Sequence, residues 1–115
     1  MKYGIVIRYQ FDTSWLRLSR DERNRHEEVF QKEIVGPYVD RLTVRHFDAE
    51  AFSAEYSDFL LIETDDLQAY YYFVEGLRDS DFIAHGWVRI HDITIGVPDG
   101  YKEYEKEHEN DHDHA

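Results

Sequence analysis

Four short runs of this chain repeat their apolar residues at every second position, and two longer runs between them repeat at threes and fours. The first spacing sets one row of side chains on each face of a strand; the second draws an apolar stripe along a helix. Tyr3–Phe11 sets Tyr3, Ile5, Ile7, Tyr9 and Phe11 against Gly4, Val6, Arg8 and Gln10. Ser19 then opens a helix, with Glu22 placed for a capping box and His26, Val29, Phe30, Ile34 and Val35 along its stripe. Gly36-Pro37 interrupts it. Leu42–Phe47 is a second strand, and Asp58–Thr64 a third whose near-continuous apolar run suits a central position. Asp65 or Asp66 caps a second helix to about Arg78, carrying Leu67, Tyr70, Tyr71, Val74 and Leu77. Trp87–Ile95 is the fourth strand.

The order β-α-β-β-α-β predicts an α+β, ferredoxin-like domain: a four-stranded antiparallel sheet with two helices on one face. Residues 1–101 form that single domain, and 102–115 read as an acidic, His-containing, disordered tail. The uncovered sheet face predicts closure by a homodimer, an α/β-barrel type of assembly with a cavity in each subunit. That step is fold-level analogy.

Composition narrows the partners. The net charge of −12 over 115 residues argues against nucleic acid, which needs a basic footprint, and against anionic membrane surfaces. Without cysteine there is no disulfide, thiolate nucleophile or Cys-based zinc site. No run approaches the length of a membrane span, and Met1 leads straight into a strand. Cytoplasmic residence is the expectation.

Strand parity then sorts the sheet. Ile5, Ile7, Leu42, Val44, Leu60, Ile62, Val88 and Ile90 form the uniformly apolar, helix-covered set. The opposite set holds Val6, Arg8, Gln10, Thr43, Arg45, Phe47, Phe59, Leu61, Glu63, Trp87, Arg89 and His91. Three arginines inside strands need a reason, since arginine is seldom buried unless paired. Aromatics with a few convergent polar groups are the usual make-up of a ligand pocket. Arg8, Arg45 and Arg89 would bind an anionic group, with Trp15, Phe47, Phe59 and Trp87 as apolar walls. Glu63 and His91 would move protons. The plainer reading is a salt-bridged subunit interface in which Glu63 is a counter-ion. A bulge in the fourth strand would shift the parity by one.

Other groups have weaker claims. His46 falls on the helix side and reads as a packed histidine; His85 precedes Gly86 in a loop. Asp48 and Glu50, with Asp58 nearby, could form a carboxylate site, or Asp48 could cap a turn while Glu50 is solvated. Core histidines lack metal-type spacing, so no metal site and no cofactor is assigned. His108, His112 and His114 in the tail could scavenge metal, though such tracts are usually only solubilising.

The stretches Ser14-Trp-Leu-Arg-Leu-Ser-Arg-Asp-Glu-Arg23, His46-Phe-Asp-Ala-Glu-Ala-Phe-Ser53 and Ile62-Glu-Thr-Asp-Asp-Leu67 followed by Tyr70 resemble the darcynin family. The resemblance spans Tyr3 to Tyr101. It implies a compact α+β domain and no catalytic roles. It adds weight to Trp15, Arg23, Asp48, Glu50 and Glu63. The combined expectation is a small cofactor-independent enzyme or binding protein. It would hold a compact aromatic or anionic metabolite on the open sheet face, with proton transfer as the chemistry. The alternatives are a non-enzymatic oligomeric module and a metal-handling protein.

Overall fold

In the computed structural model, which describes residues 1–112, four antiparallel strands lie in the order β2-β3-β1-β4: β1 Tyr3–Phe11, β2 Thr43–Asp48, β3 Asp58–Thr64 and β4 Val88–Gly96. This is the ferredoxin-like α+β arrangement that the element order predicts. Both long helices cover one face. Ile5, Ile7, Leu60 and Ile62 are buried there against Ile34 and against Ala69, Phe73 and Leu77 of α3 (Leu67–Arg78). Each buried Ile, Leu or Phe among them contributes about 1.5–3 kcal/mol. Asp66 starts α3 by accepting from the Ala69 N–H at 3.0 Å.

The first helical layer is less regular than its sequence stripe suggests. A short α1 (Thr13–Leu16) precedes α2 (Arg20–Val29), which Ser19 caps at the Glu22 N–H as the capping box predicts. The chain then widens into a π-helical segment, Phe30–Val35, and tightens into a 3₁₀ turn, Gly36–Tyr38. Only Ile34 of the π segment is buried, and no residue of α2 is. The helix therefore stands off the sheet and leaves space beneath it.

Two strand details differ from the expectation. β4 begins at Val88, and Trp87 lies just before it. Trp87 is on the helix-layer side, packed with Trp15, Phe82 of α4 (Asp81–Ala84) and Val88 in a second core cluster. β4 also carries a bulge: Arg8 pairs with Asp92 and Tyr9 with Ile90, leaving His91 as the extra residue. Beyond it the parity flips. Asp92 and Thr94 share the open face with Arg8 and Val6, while Ile93 and Ile95 oppose Ile7 and Ile5.

Gly100–His112 is helical (α5), where the sequence reads as a tail from residue 102. Tyr104 stacks on His108 at 4.0 Å, the i,i+4 contact a helix creates. His114 lies outside the described residues. Among those residues no helix is long and apolar enough to cross a membrane.

Candidate functional site

The strand arginines do share the open face, but they do not converge. Arg8 on β1 pairs with Asp92 across the β4 bulge, Nη1 to Oδ1 at 2.9 Å. Arg45 on β2 reaches Glu63 on β3 at 3.4 Å, and both are about half exposed. Arg89 lies opposite Gln10 at the far end and has no ion pair among the described residues. Phe47 and Phe59, directly opposite each other, stack at 4.8 Å. His91 faces Glu55 and Asp92, each at 3.9 Å. Glu63 thus sits beside Arg45, and Asp92 lies between Arg8 and His91, so the face is a patchwork of local contacts with no common centre. The two tryptophans are not on it. Trp15 is 3% exposed and packs on Phe11, Phe82 and Trp87, because α1 turns it under the helical layer. Trp87 packs between His26 and His85 at 4.6 and 4.7 Å.

The large cavity lies on the opposite side of the sheet, in the space under α2. It encloses about 950 Å³, open to solvent at one side. Ile7, Val44, Leu60 and Ile90 make its floor, and Phe30 and Phe82 its walls. Glu27, Glu28, Gln31 and Lys32 come from α2 and the π segment. π-helical turns are rare and recur beside functional sites.

One end of the floor is polar. Asp48, Asp58, Tyr9 and Ile90 form a single row across all four strands, each opposite the next. His46, two residues before Asp48 on the same face, donates Nε2–H to Asp58 Oδ2 at 2.6 Å. A carboxylate only accepts, so this contact fixes the tautomer. Asp58 is 4% exposed, and its Oδ1 has no partner. His46 is about half exposed, so one end of the dyad faces solvent and the other the core. Burial, and after it the charges of Asp58, Glu27 and Asp48, push the Tyr9 phenol far above its usual range. Tyr9 is therefore a neutral donor in this cavity. Ser57 anchors the row: its Oγ accepts from the Phe11 N–H at 3.0 Å, and its N–H donates to the Tyr9 carbonyl at 3.1 Å.

From the sequence His46 reads as a packed histidine and Asp58 enters only beside Asp48 and Glu50; the fold instead joins His46, Asp58 and Tyr9 at one end of the cavity. The signal was in the parity. His46, Asp48 and Asp58 are the polar residues that continue the helix-covered rows of Val44 and Leu60. What the strand pattern does not reveal is that α2 stands away from that end of the sheet.

The fold defines a class first: a ferredoxin-like α+β domain of the kind found in chlorite dismutase. A substituted form of the enzyme from Candidatus Nitrospira defluvii superposes with a TM-score of 0.71 at 18% identity, covering 84% of this chain and 39% of that one. The same enzyme in complex with imidazole gives 0.70 at 16%, covering 89% and 46%. The chain spans less than half of these structures, and at such identities the likeness concerns fold alone. The chain itself belongs to the darcynin family, whose model, described as "Darcynin, domain of unknown function", matches residues 5–110. Darcynin from Chromobacterium violaceum is 41% identical over 74 residues, 64% of this chain and 92% of the relative. Darcynin 1 from Acinetobacter baumannii is 34% identical over 95 residues, 78% and 99% respectively. The resemblance carried by Ser14–Arg23 and His46–Ser53 is thus borne out.

Proposed function

We propose that this chain binds a compact organic molecule in the cavity between α2 and the sheet, and that His46, Asp58 and Tyr9 handle a proton there. The observation that carries the reading is the pairing of half-exposed His46 with buried Asp58 at the end of an otherwise apolar, ligand-sized floor. Ligand cavities combine such apolar walls with few polar groups. A histidine held by a carboxylate can take a proton from a bound molecule and return it. Tyr9 would donate a hydrogen bond to an oxygen on the same molecule. Four acids line the cavity against one lysine. This favours a neutral or cationic molecule over the anionic one that the arginines suggested.

The test is a thermal-shift screen with small phenols, aromatic amines and aromatic carboxylates. A binding compound should raise Tm in wild type. The shift should disappear in the cavity-filling variant Val44→Trp and weaken in His46→Ala, while Arg45→Ala and Glu63→Gln retain it. Loss of the shift in the last two, with Val44→Trp unaffected, would return the site to the open face.

A second reading concerns that open face. Phe47, 38% exposed, stacks on Phe59 beside Leu61 and Val6, between the two ion pairs. An apolar strip of this kind suits a second copy of the chain. Sedimentation of wild type and Phe47→Asp tests it: a dimer that the substitution converts to monomer supports the reading, and a wild-type monomer removes it.

A further inference from the structure

We propose that Asp48, Glu50 and Asp58 form a binding site for a hard divalent cation of the calcium class, at the edge of the cavity. Carboxylate oxygens from all three residues lie within 4.8 Å of one another. That span is about twice a Ca²⁺–oxygen distance, so one ion can touch all three. Proximity of acids alone would mean little, since exposed acids cluster often. The second observation is Asp58. It is among the few buried polar residues of those described, at 4% exposure, and Oδ1 of its carboxylate is buried without a partner. Leaving a charged acceptor buried and unpaired is costly, and such groups are normally satisfied by an ion or hydrogen bonds.

The surrounding contacts hold two of the three carboxylates in place. His46 occupies Oδ2 of Asp58 at 2.6 Å, which fixes the plane of the carboxylate and leaves Oδ1 available. Outer contacts of this type orient the groups that touch a metal. Asp48 is held in turn: one of its oxygens accepts the Glu50 N–H at 3.1 Å, closing a tight turn that brings the Glu50 side chain back over the strand end. Asp48 and Asp58 are direct cross-strand partners, so the β2–β3 ladder sets their separation. Two like charges directly opposite one another in a sheet are unfavourable unless something lies between them. Three carboxylates and no thiolate select a hard, oxygen-seeking ion over a soft one. Asp48 and Glu50 are also among the residues that carry the family resemblance. The proposal stands whether or not the cavity takes an organic molecule, because its probe is the ion alone.

Calorimetric titration of the full chain with CaCl₂ tests it, and keeping the acidic C-terminal segment present throughout holds its contribution constant. Wild type should bind one Ca²⁺ per chain at or below about 1 mM, the weak end of biological calcium sites. Glu50→Gln, at an exposed position where only the backbone N–H is bonded, should fold normally and weaken binding at least tenfold. Asp48→Asn, whose amide oxygen can still accept the turn hydrogen bond, should do the same. Asp58→Asn should abolish the site, with circular dichroism checking its fold. No saturable binding by wild type up to about 1 mM, or binding unchanged in Glu50→Gln and Asp48→Asn, overturns the proposal.

Discussion

His46 and Asp58 meet across the β2–β3 ladder at 2.6 Å, one side chain half in water and the other almost wholly out of it. The pair links solvent to the polar end of the cavity. Removing the histidine leaves both oxygens of a buried carboxylate without a partner. His46→Ala should therefore cost about 1–3 kcal/mol in urea unfolding, the usual penalty for orphaning a buried acceptor. His46→Gln, which keeps a donor, should recover part of it. Equal stability in all three proteins would mean that the contact contributes nothing.

Tyr9 makes the alkaline limb of the stability profile informative. Its folded pKa lies well above the unfolded value of 10.0, with burial as the main cause. The stabilising contribution is therefore complete below pH 10 and is lost as the unfolded chain begins to ionise there. The loss should run at about 1.4 kcal/mol for each pH unit above 10. Tyr9→Phe removes this slope, apart from the part due to Tyr70, which burial shifts in the same direction. Urea unfolding of both proteins at pH 9 and pH 11 gives the comparison; parallel losses would place the Tyr9 phenol in solvent.

Trp15 and Trp87 should behave as core residues. Trp15 is 3% exposed and Trp87 9%, and both contact Phe82. Trp15→Ala should cost about 3–5 kcal/mol, as large-to-small core substitutions do. Because the two rings touch, the double variant should lose less than the sum. A loss below about 1 kcal/mol for Trp15→Ala would show that α1 does not hold this ring in the core.

The sheet was legible from the period-two runs because each of β1, β2 and β3 keeps one parity from end to end. Both helix starts were legible, from Ser19-x-x-Glu22 and from the Asp65-Asp66 pair, of which Asp66 is the cap. Three things were not. The β4 bulge is a backbone irregularity with no residue signature at His91, so Asp92 was missed as the partner of Arg8. Trp87 fitted the alternation of the strand, yet it precedes the bonded ladder and follows α4 into the helical layer. Most consequential, the periodic stripe from His26 to Val35 looked like one packed helix. Its change to π-helical turns and its distance from the sheet are tertiary outcomes, and they open the cavity on the side that parity assigned to packing. Apolar rows that end in His46, Asp48 and Asp58 were the available hint.

The open face should tolerate loss of its ion pairs. Arg45 and Glu63 are 55% and 45% exposed at 3.4 Å, and Arg8 and Asp92 are 32% and 47% exposed at 2.9 Å. Exposed pairs of this kind are worth about 0–1 kcal/mol, since water solvates the separated charges nearly as well. A double-mutant cycle on Arg45→Ala and Glu63→Gln should give a coupling below about 1 kcal/mol. The Arg8–Asp92 cycle should give the larger value, because its contact is shorter and Arg8 is the less exposed arginine. Raising salt to about 1 M should shrink both couplings, as the screening length falls to about 3 Å. A coupling above about 2 kcal/mol that survives salt would mean that the face is covered in solution, and would favour the second-copy reading over a free surface.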